Sequence, residues 1–197
     1  MQPEEQMLRP QIGEWDNMSG VTTLSFVCGY CGNLVASNRG WTTVGGYGSL
    51  RICSACKGPT FFYEGNQTPG SPYGKPIAEL PPEIAQLYEE ARSAVSNAAP
   101  TAAVLCCRKL LMHVAVDKKA EEGKSFEYYV GYLSNNHFIP AGAREWVDQI
   151  RTRGNEANHQ IVLKTRKEAE DLIDFVEMLL RVVYEYPARA KSKSTSN

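Results

Sequence analysis

Apolar positions are spaced differently in the two halves of this 197-residue chain. As far as Tyr63 they come in short runs: Leu24-Ser25-Phe26-Val27, Trp41-Thr42-Thr43-Val44, Ser49-Leu50-Arg51-Ile52 and Thr60-Phe61-Phe62-Tyr63. β-Branched and aromatic side chains fit a pleated surface, and glycines punctuate the runs. Residues 21–63 are therefore predicted to be a small β-rich module. Residues 1–20 are mostly polar, with Trp15 and Met18 among a few scattered apolar positions, and read as a loose tail. Residues 64–80 are rich in Gly, Pro and Ser and read as a linker.

From Pro81 the apolar period lengthens to that of a helix. Pro81-Pro82 opens one helix, with Ile84, Leu87, Tyr88, Ala91 and Val95 on one stripe. A second follows Pro100 through Val104, Cys107, Leu111 and Val114. Others start at Ser125 (Tyr129, Tyr132, Leu133) and at Pro140 (Trp146, Val147, Ile150). Thr165-Arg166-Lys167-Glu168 has the capping-box pattern and opens a last helix through Leu172, Phe175, Val176, Leu179, Leu180 and Val183, which Pro187 is expected to end. The fold class that follows is α+β: a β-rich module, then an all-α antiparallel bundle of about five helices over 81–187, then a disordered tail over 188–197.

Charge excludes one class of function. The chain carries 21 basic and 22 acidic side chains, a net −1, and residues 1–75 hold five of each sign. Neither half offers the broad positive field that holds nucleic acid nonspecifically, so any polyanion site is local. No apolar run reaches the roughly 20 residues of a bilayer span. The first residues lack the basic-then-apolar pattern of a secretory signal, and a cytoplasmic location without membrane contact is expected.

Four of the six cysteines form two C-x-x-C pairs, Cys28/Cys31 and Cys53/Cys56, with 21 residues between Cys31 and Cys53. Each pair sits beside glycine (Gly29 and Gly32, then Gly58), which supplies the backbone angles of a tight turn. Four thiolates close a tetrahedral site, and one structural zinc ion is the expected cofactor. Disulfides, a redox dithiol or an iron site of the same geometry are the alternatives. A reducing compartment disfavours the first, and a redox dithiol needs only one pair. Cys106 and Cys107 lie in an apolar helix, point about 100° apart and read as buried small hydrophobes.

The helical half has one chemically dense stretch, Ile150-Arg151-Thr152-Arg153-Gly154-Asn155-Glu156-Ala157-Asn158-His159. On a continuous helix Arg151, Asn155 and His159 share a face. A cation, an amide and an imidazole together suit phosphate binding and proton transfer near neutral pH. The same residues also read as solvated polar positions, with Asn155 capping a helix after Gly154.

This stretch, with Arg108-Lys109-Leu110-Leu111 and Phe138-Ile139-Pro140, resembles the HEPN superfamily of helical bundles common in prokaryotic defence and toxin systems. More narrowly it resembles an uncharacterised branch attached to restriction enzymes, over roughly 77–188; the N-terminal half resembles a zinc ribbon. The resemblance implies a homodimer and a metal-independent endoribonuclease of defence type, or an RNA-processing protein. In it His159 would act as general base or acid, Asn155 would orient the phosphate, and Arg151 or Arg153 would stabilise its charge. Gly154 stands where the tightest form of the motif has arginine, and Met112 where relatives place an acid. Those departures keep a second expectation in view: a non-catalytic module that binds nucleic acid or a protein partner from a restriction or defence system, or a scaffold. Trp41 is the stacking candidate of the first module.

Overall fold

A computed structural model describes residues 14–143, 146–147, 150 and 163–194. The chain divides into two compact units at the junction of Pro72 and Tyr73.

The first unit is an antiparallel meander of five strands, β1 (Ser19–Val27), β2 (Leu34–Thr42), β3 (Gly48–Ile52), β4 (Pro59–Tyr63) and β5 (Asn66–Thr68), hydrogen-bonded in sequence order. Two of these depart from expectation. β2 begins well before Trp41, because Val35 and Ser37 alternate inward with polar or small neighbours that hide the strand period. The hydroxyl of buried Ser37 donates to the Ile52 carbonyl at 2.7 Å, which makes a polar residue acceptable there. β5 lies inside the expected linker. Glu64 and Gly65, at φ 48° and 80°, form a two-residue turn that folds Asn66 back onto Tyr63. Two consecutive positive φ values match the twist of a hairpin.

One face of this sheet gathers Phe26, Val35 and Phe62 around Cys28 and Cys53. The Phe26 and Phe62 rings meet edge to face at 5.1 Å. β1 shifts register between Gly20 and Leu24, and the buried Arg51 donates to the Thr22 carbonyl that lies within that shift. Burying a guanidinium is tolerable because Ser49 also accepts from its Nε.

The second unit holds α1 (Pro82–Ser96), α2 (Pro100–Asp117), α3 (Phe126–Asn135) and α4 (Arg166–Leu180). α2 packs against α1, α3 and α4. The predicted stripes are the buried ones: Ile84, Tyr88, Ala91 and Val95; Val104, Cys107, Leu111 and Val114; Leu172, Phe175, Val176, Leu179 and Leu180. The capping box is present, with Thr165 Oγ1 accepting from the Glu168 N–H and Glu168 accepting from the Thr165 N–H at 2.8 Å. α1, α2 and α3 end alike, with Ala98, Lys119 and His137 at φ 57°, 76° and 62°. The residue after each donates back to the carbonyl of Ala94, Ala115 or Leu133, which closes a Schellman motif without glycine.

The bundle differs from about five helices. Among the described residues there are four, the last prolonged. The segment from Pro140 begins as a single 3₁₀ turn, Ala141–Ala143, and Trp146, Val147 and Ile150 are its described helical residues beyond that turn. Gly142 weakens helix propensity there, and no side chain of the Ser or Thr kind stands ready to cap the turn. Pro187 does not end α4. The helix passes through a π-helical stretch, Arg181–Glu185, into a further helical segment, Tyr186–Ser194. The buried Glu185 fastens this stretch by pairing with Arg181 and Arg189. Residues 73–75, inside the expected linker, are bolted to the bundle: Arg92 donates to the Tyr73 and Gly74 carbonyls, and Glu177 accepts from the Lys75 N–H at 2.8 Å. No helix among the described residues is long and apolar enough to cross a membrane.

Candidate metal centre

Each C-x-x-C pair lies on a turn that leaves one strand and enters the next. Cys28 follows β1, and its N–H donates to Asn33 while its carbonyl accepts from Gly32. Cys53 follows β3 and repeats the pattern with Gly58 and Lys57. The residue four after the first cysteine has positive φ in both turns, 70° at Gly32 and 62° at Lys57. Lysine carries this conformation at some cost, so the second turn departs from the glycine rule in the sequence. Glycine is needed instead at Gly58 and Gly29. A Cβ on Gly58 would lie 2.5 Å from the Tyr30 ring, and one on Gly29 would lie 2.5 Å from the Pro69 carbonyl oxygen.

These two turns bring the sulfurs of Cys28, Cys31, Cys53 and Cys56 within 4.8 Å of one another. Cys28 and Cys56 are 3.6 Å apart, and Cys31 and Cys53 are 3.9 Å apart. A disulfide needs about 2.05 Å. Four thiolates around one tetrahedral ion at about 2.3 Å lie about 3.8 Å from each other. The donor set is thus compatible with a structural metal site. All four positions of such an ion would be filled by protein, leaving none for a substrate or water.

The backbone aims partial positive charge at the sulfurs. The Tyr30 N–H points at Cys28 Sγ (3.4 Å) and the Cys56 N–H at Cys53 Sγ (3.5 Å). Burial holds the Cys28 thiol above its usual range, with the Cys31 and Tyr30 N–H groups opposing it. Burial likewise pushes Cys56 up to about 12. At Cys53 burial acts upward too, but the N–H groups of Cys56 and Ala55 and hydrogen bonds with the Cys56 and Cys28 sulfurs together outweigh it, and its thiol sits low. Four thiols this close cannot all ionise in an empty site, whereas a divalent cation reverses that balance.

Of the other residues singled out in the sequence, Arg151, Arg153, Asn155 and His159 lie outside the described residues. Arg108 lies 4.3 Å over the Phe126 ring. His113 and His137 are exposed, and His137 serves as the left-handed residue that ends α3. Cys107 is fully buried, as its apolar stripe implies. Trp41 is half-buried, met edge to face at 5.9 Å by Trp15, whose Nε1 donates to the Lys57 carbonyl. Gln67, inside the expected linker, ties β5 to the first turn by donating to the Val27 carbonyl at 2.8 Å. Neither anchor shows in spacing; a lone tryptophan in a polar segment is the only hint of the first.

The helical unit has a separate cavity of about 600 Å³, lined by Tyr73, Lys75, Asp174, Glu177, Arg181 and Tyr186. Its Asp174, Glu177 and Arg181 already hydrogen-bond within the unit. No curated protein and no solved structure matches the chain. One family model does, over residues 89–196, which is more than half of the chain and most of the helical unit. The chain therefore belongs to the family described as a domain of unknown function, DUF4145.

Proposed function

We propose that this protein joins a zinc-stapled recognition module to a HEPN-like bundle that cleaves RNA without metal in its active site. The four-sulfur cluster carries the first half of this reading. A closed tetrahedral four-thiolate site suits zinc, and elemental analysis separates it from an iron site of the same geometry. Free thiols at all six cysteines fit a reducing, cytoplasmic setting.

The second half rests on the stretch from Arg151 to His159 and on the resemblance it carries. In a homodimer of the bundle, His159 takes the proton of a ribose 2′-hydroxyl. The 2′-oxygen then attacks phosphorus, the 5′-oxygen leaves with a proton, and a cyclic phosphate remains. Asn155 orients the phosphate, and Arg151 or Arg153 offsets its developing charge. A defence or toxin role follows from the resemblance. Gly154 supports a second reading, in which the bundle keeps its fold and partners but not its chemistry, and serves as a nucleic-acid- or protein-binding module of a restriction or defence system.

The deciding measurement compares RNA cleavage by wild type and His159→Ala, in buffer free of added magnesium with the ribbon's metal left in place. Cleavage to cyclic-phosphate ends that vanishes in the variant supports the nuclease. Equal cleavage by both proteins removes it. RNA retention without cleavage by either selects the second reading. Elemental analysis of the purified chain is expected to return one zinc.

A further inference from the structure

The sheet of the first unit has a second face, turned away from the cysteines. Register places Trp41, Leu50 and Phe61 in one row across β2, β3 and β4. Tyr63 stands two residues along β4, on the same side as Phe61. The row is closed at one end, where Trp15 lies against Trp41. At the other end it is open: Phe61 and Tyr63 are 41% and 47% exposed, and Tyr47 of the neighbouring hairpin loop is 75% exposed. The Phe61 and Tyr63 rings are parallel within 9°, with centroids 6.3 Å apart. Gly48 pairs with Tyr63 and lies under the Phe61 ring, where a Cβ would come within 3.4 Å of the ring edge. Backbone rather than a side chain thus floors this end.

We propose that this face is a stacking platform for single-stranded nucleic acid, with Phe61 and Tyr63 each taking one base and Trp41 extending the row. Two observations select that occupant. Parallel rings two residues apart on a strand offer ring planes to successive unstacked bases, which a duplex cannot present. The surface is an open row and not a pocket or groove, so it suits planar groups laid side by side. The inference rests on reading the first unit as a recognition module, and it assigns that module its ligand class.

The test uses the full zinc-loaded chain and fluorescence anisotropy with labelled twelve-nucleotide oligo(dT), oligo(U) and a mixed-sequence duplex. Oligo(dT) lacks the 2′-hydroxyl, so its binding is read independently of any cleavage through His159. Both single strands are expected to bind better than the duplex. Phe61→Ala and Tyr63→Ala should each weaken them by about 5- to 100-fold, with zinc content unchanged. Tyr63→Phe should retain affinity, since the ring and not the hydroxyl does the stacking. Should Phe61→Ala lose its metal, Phe61→Leu keeps the apolar contact, removes the ring plane and gives the same reading. Absence of saturable binding to either single strand overturns the proposal, as does equal affinity in the ring variants. Self-association that Phe61→Ala abolishes, without oligonucleotide binding, gives the face to a second copy of the chain and also overturns it.

Discussion

In the strand-built unit the buried cluster among the described residues is Phe26, Val35, Cys28 and Cys53. In the helical unit it takes in 27 residues from Ile84 to Val183. Half of the first cluster is cysteine, and four side chains cannot offset the cost of ordering five strands. The second is an ordinary apolar core with whole stripes of four helices in it. On the proposed reading, one unit depends on a ligand that can be removed, and the other on contacts that cannot. This difference separates their responses to chelation, acid and mutation.

The largest expected effect is that of removing the metal. Zinc binding supplies on the order of 10 kcal/mol to modules of this kind. A strong chelator, or Cys53→Ser, is expected to collapse the dispersed strand resonances in an NMR spectrum while helical circular dichroism persists. Strand resonances that survive in verified metal-free protein would sink the comparison. Leu111→Ala tests the converse. Leu111 is fully buried in α2, and its truncation is expected to cost the bundle roughly 2–5 kcal/mol in denaturant titration without changing zinc content.

Acid should separate the units next. Protons compete with zinc for thiolates whose free pKa is about 8.5, so metal affinity falls steadily as pH drops below neutrality. The bundle titrates later. The Lys118 ammonium, against burial and with help from the Tyr184 hydroxyl, holds Asp117 below the usual carboxylate range. A depressed carboxylate stabilises the fold above its unfolded value of about 3.9, and that contribution is lost only as pH falls through the folded value. Asp117 is nearly half exposed, so solvent keeps its share small. Strand signals are therefore expected to vanish at a higher pH than helical signals. Simultaneous loss would mean that the two units unfold as one.

The smallest effect sharpens the helical side. Lys119 ends α2 at φ 76°, where a Cβ is strained and glycine is not. Lys119→Gly is expected to raise stability by roughly 0.5–1 kcal/mol, seen as a higher melting temperature of the helical transition alone.

Much of this was legible in the chain because period and spacing are local properties. Ile84, Tyr88, Ala91 and Val95 announce a buried helical stripe whatever they pack against. Thr165 and Glu168 announce a cap. Two C-x-x-C pairs predict convergence because each turn aims both of its thiols the same way. The strand of Leu34–Arg39 escaped because a buried Ser37 looks like a loop residue until the Ile52 carbonyl is placed beside it. β5 escaped because Glu64-Gly65 is an unusual pair for a tight hairpin, and the glycines and prolines after it read as linker. The run through Pro187 escaped because a proline normally ends a helix, whereas here the π-helical stretch just before it, held by Glu185 and its two arginines, carries the chain on.

By itself, then, the sequence determined the division into a strand-rich and a helix-rich half, the four sulfurs of the metal centre and the apolar stripes of the bundle. Each follows from residues that are near neighbours along the chain. Only the tertiary structure decided the rest: that the two cysteine turns are built alike, that Trp15 seats Trp41, and that Phe61 and Tyr63 stand parallel over Gly48 on an open face. Those relations join residues far apart in sequence or depend on which side of a sheet is covered. No local period records which strand lies beside which, or which face is left to solvent.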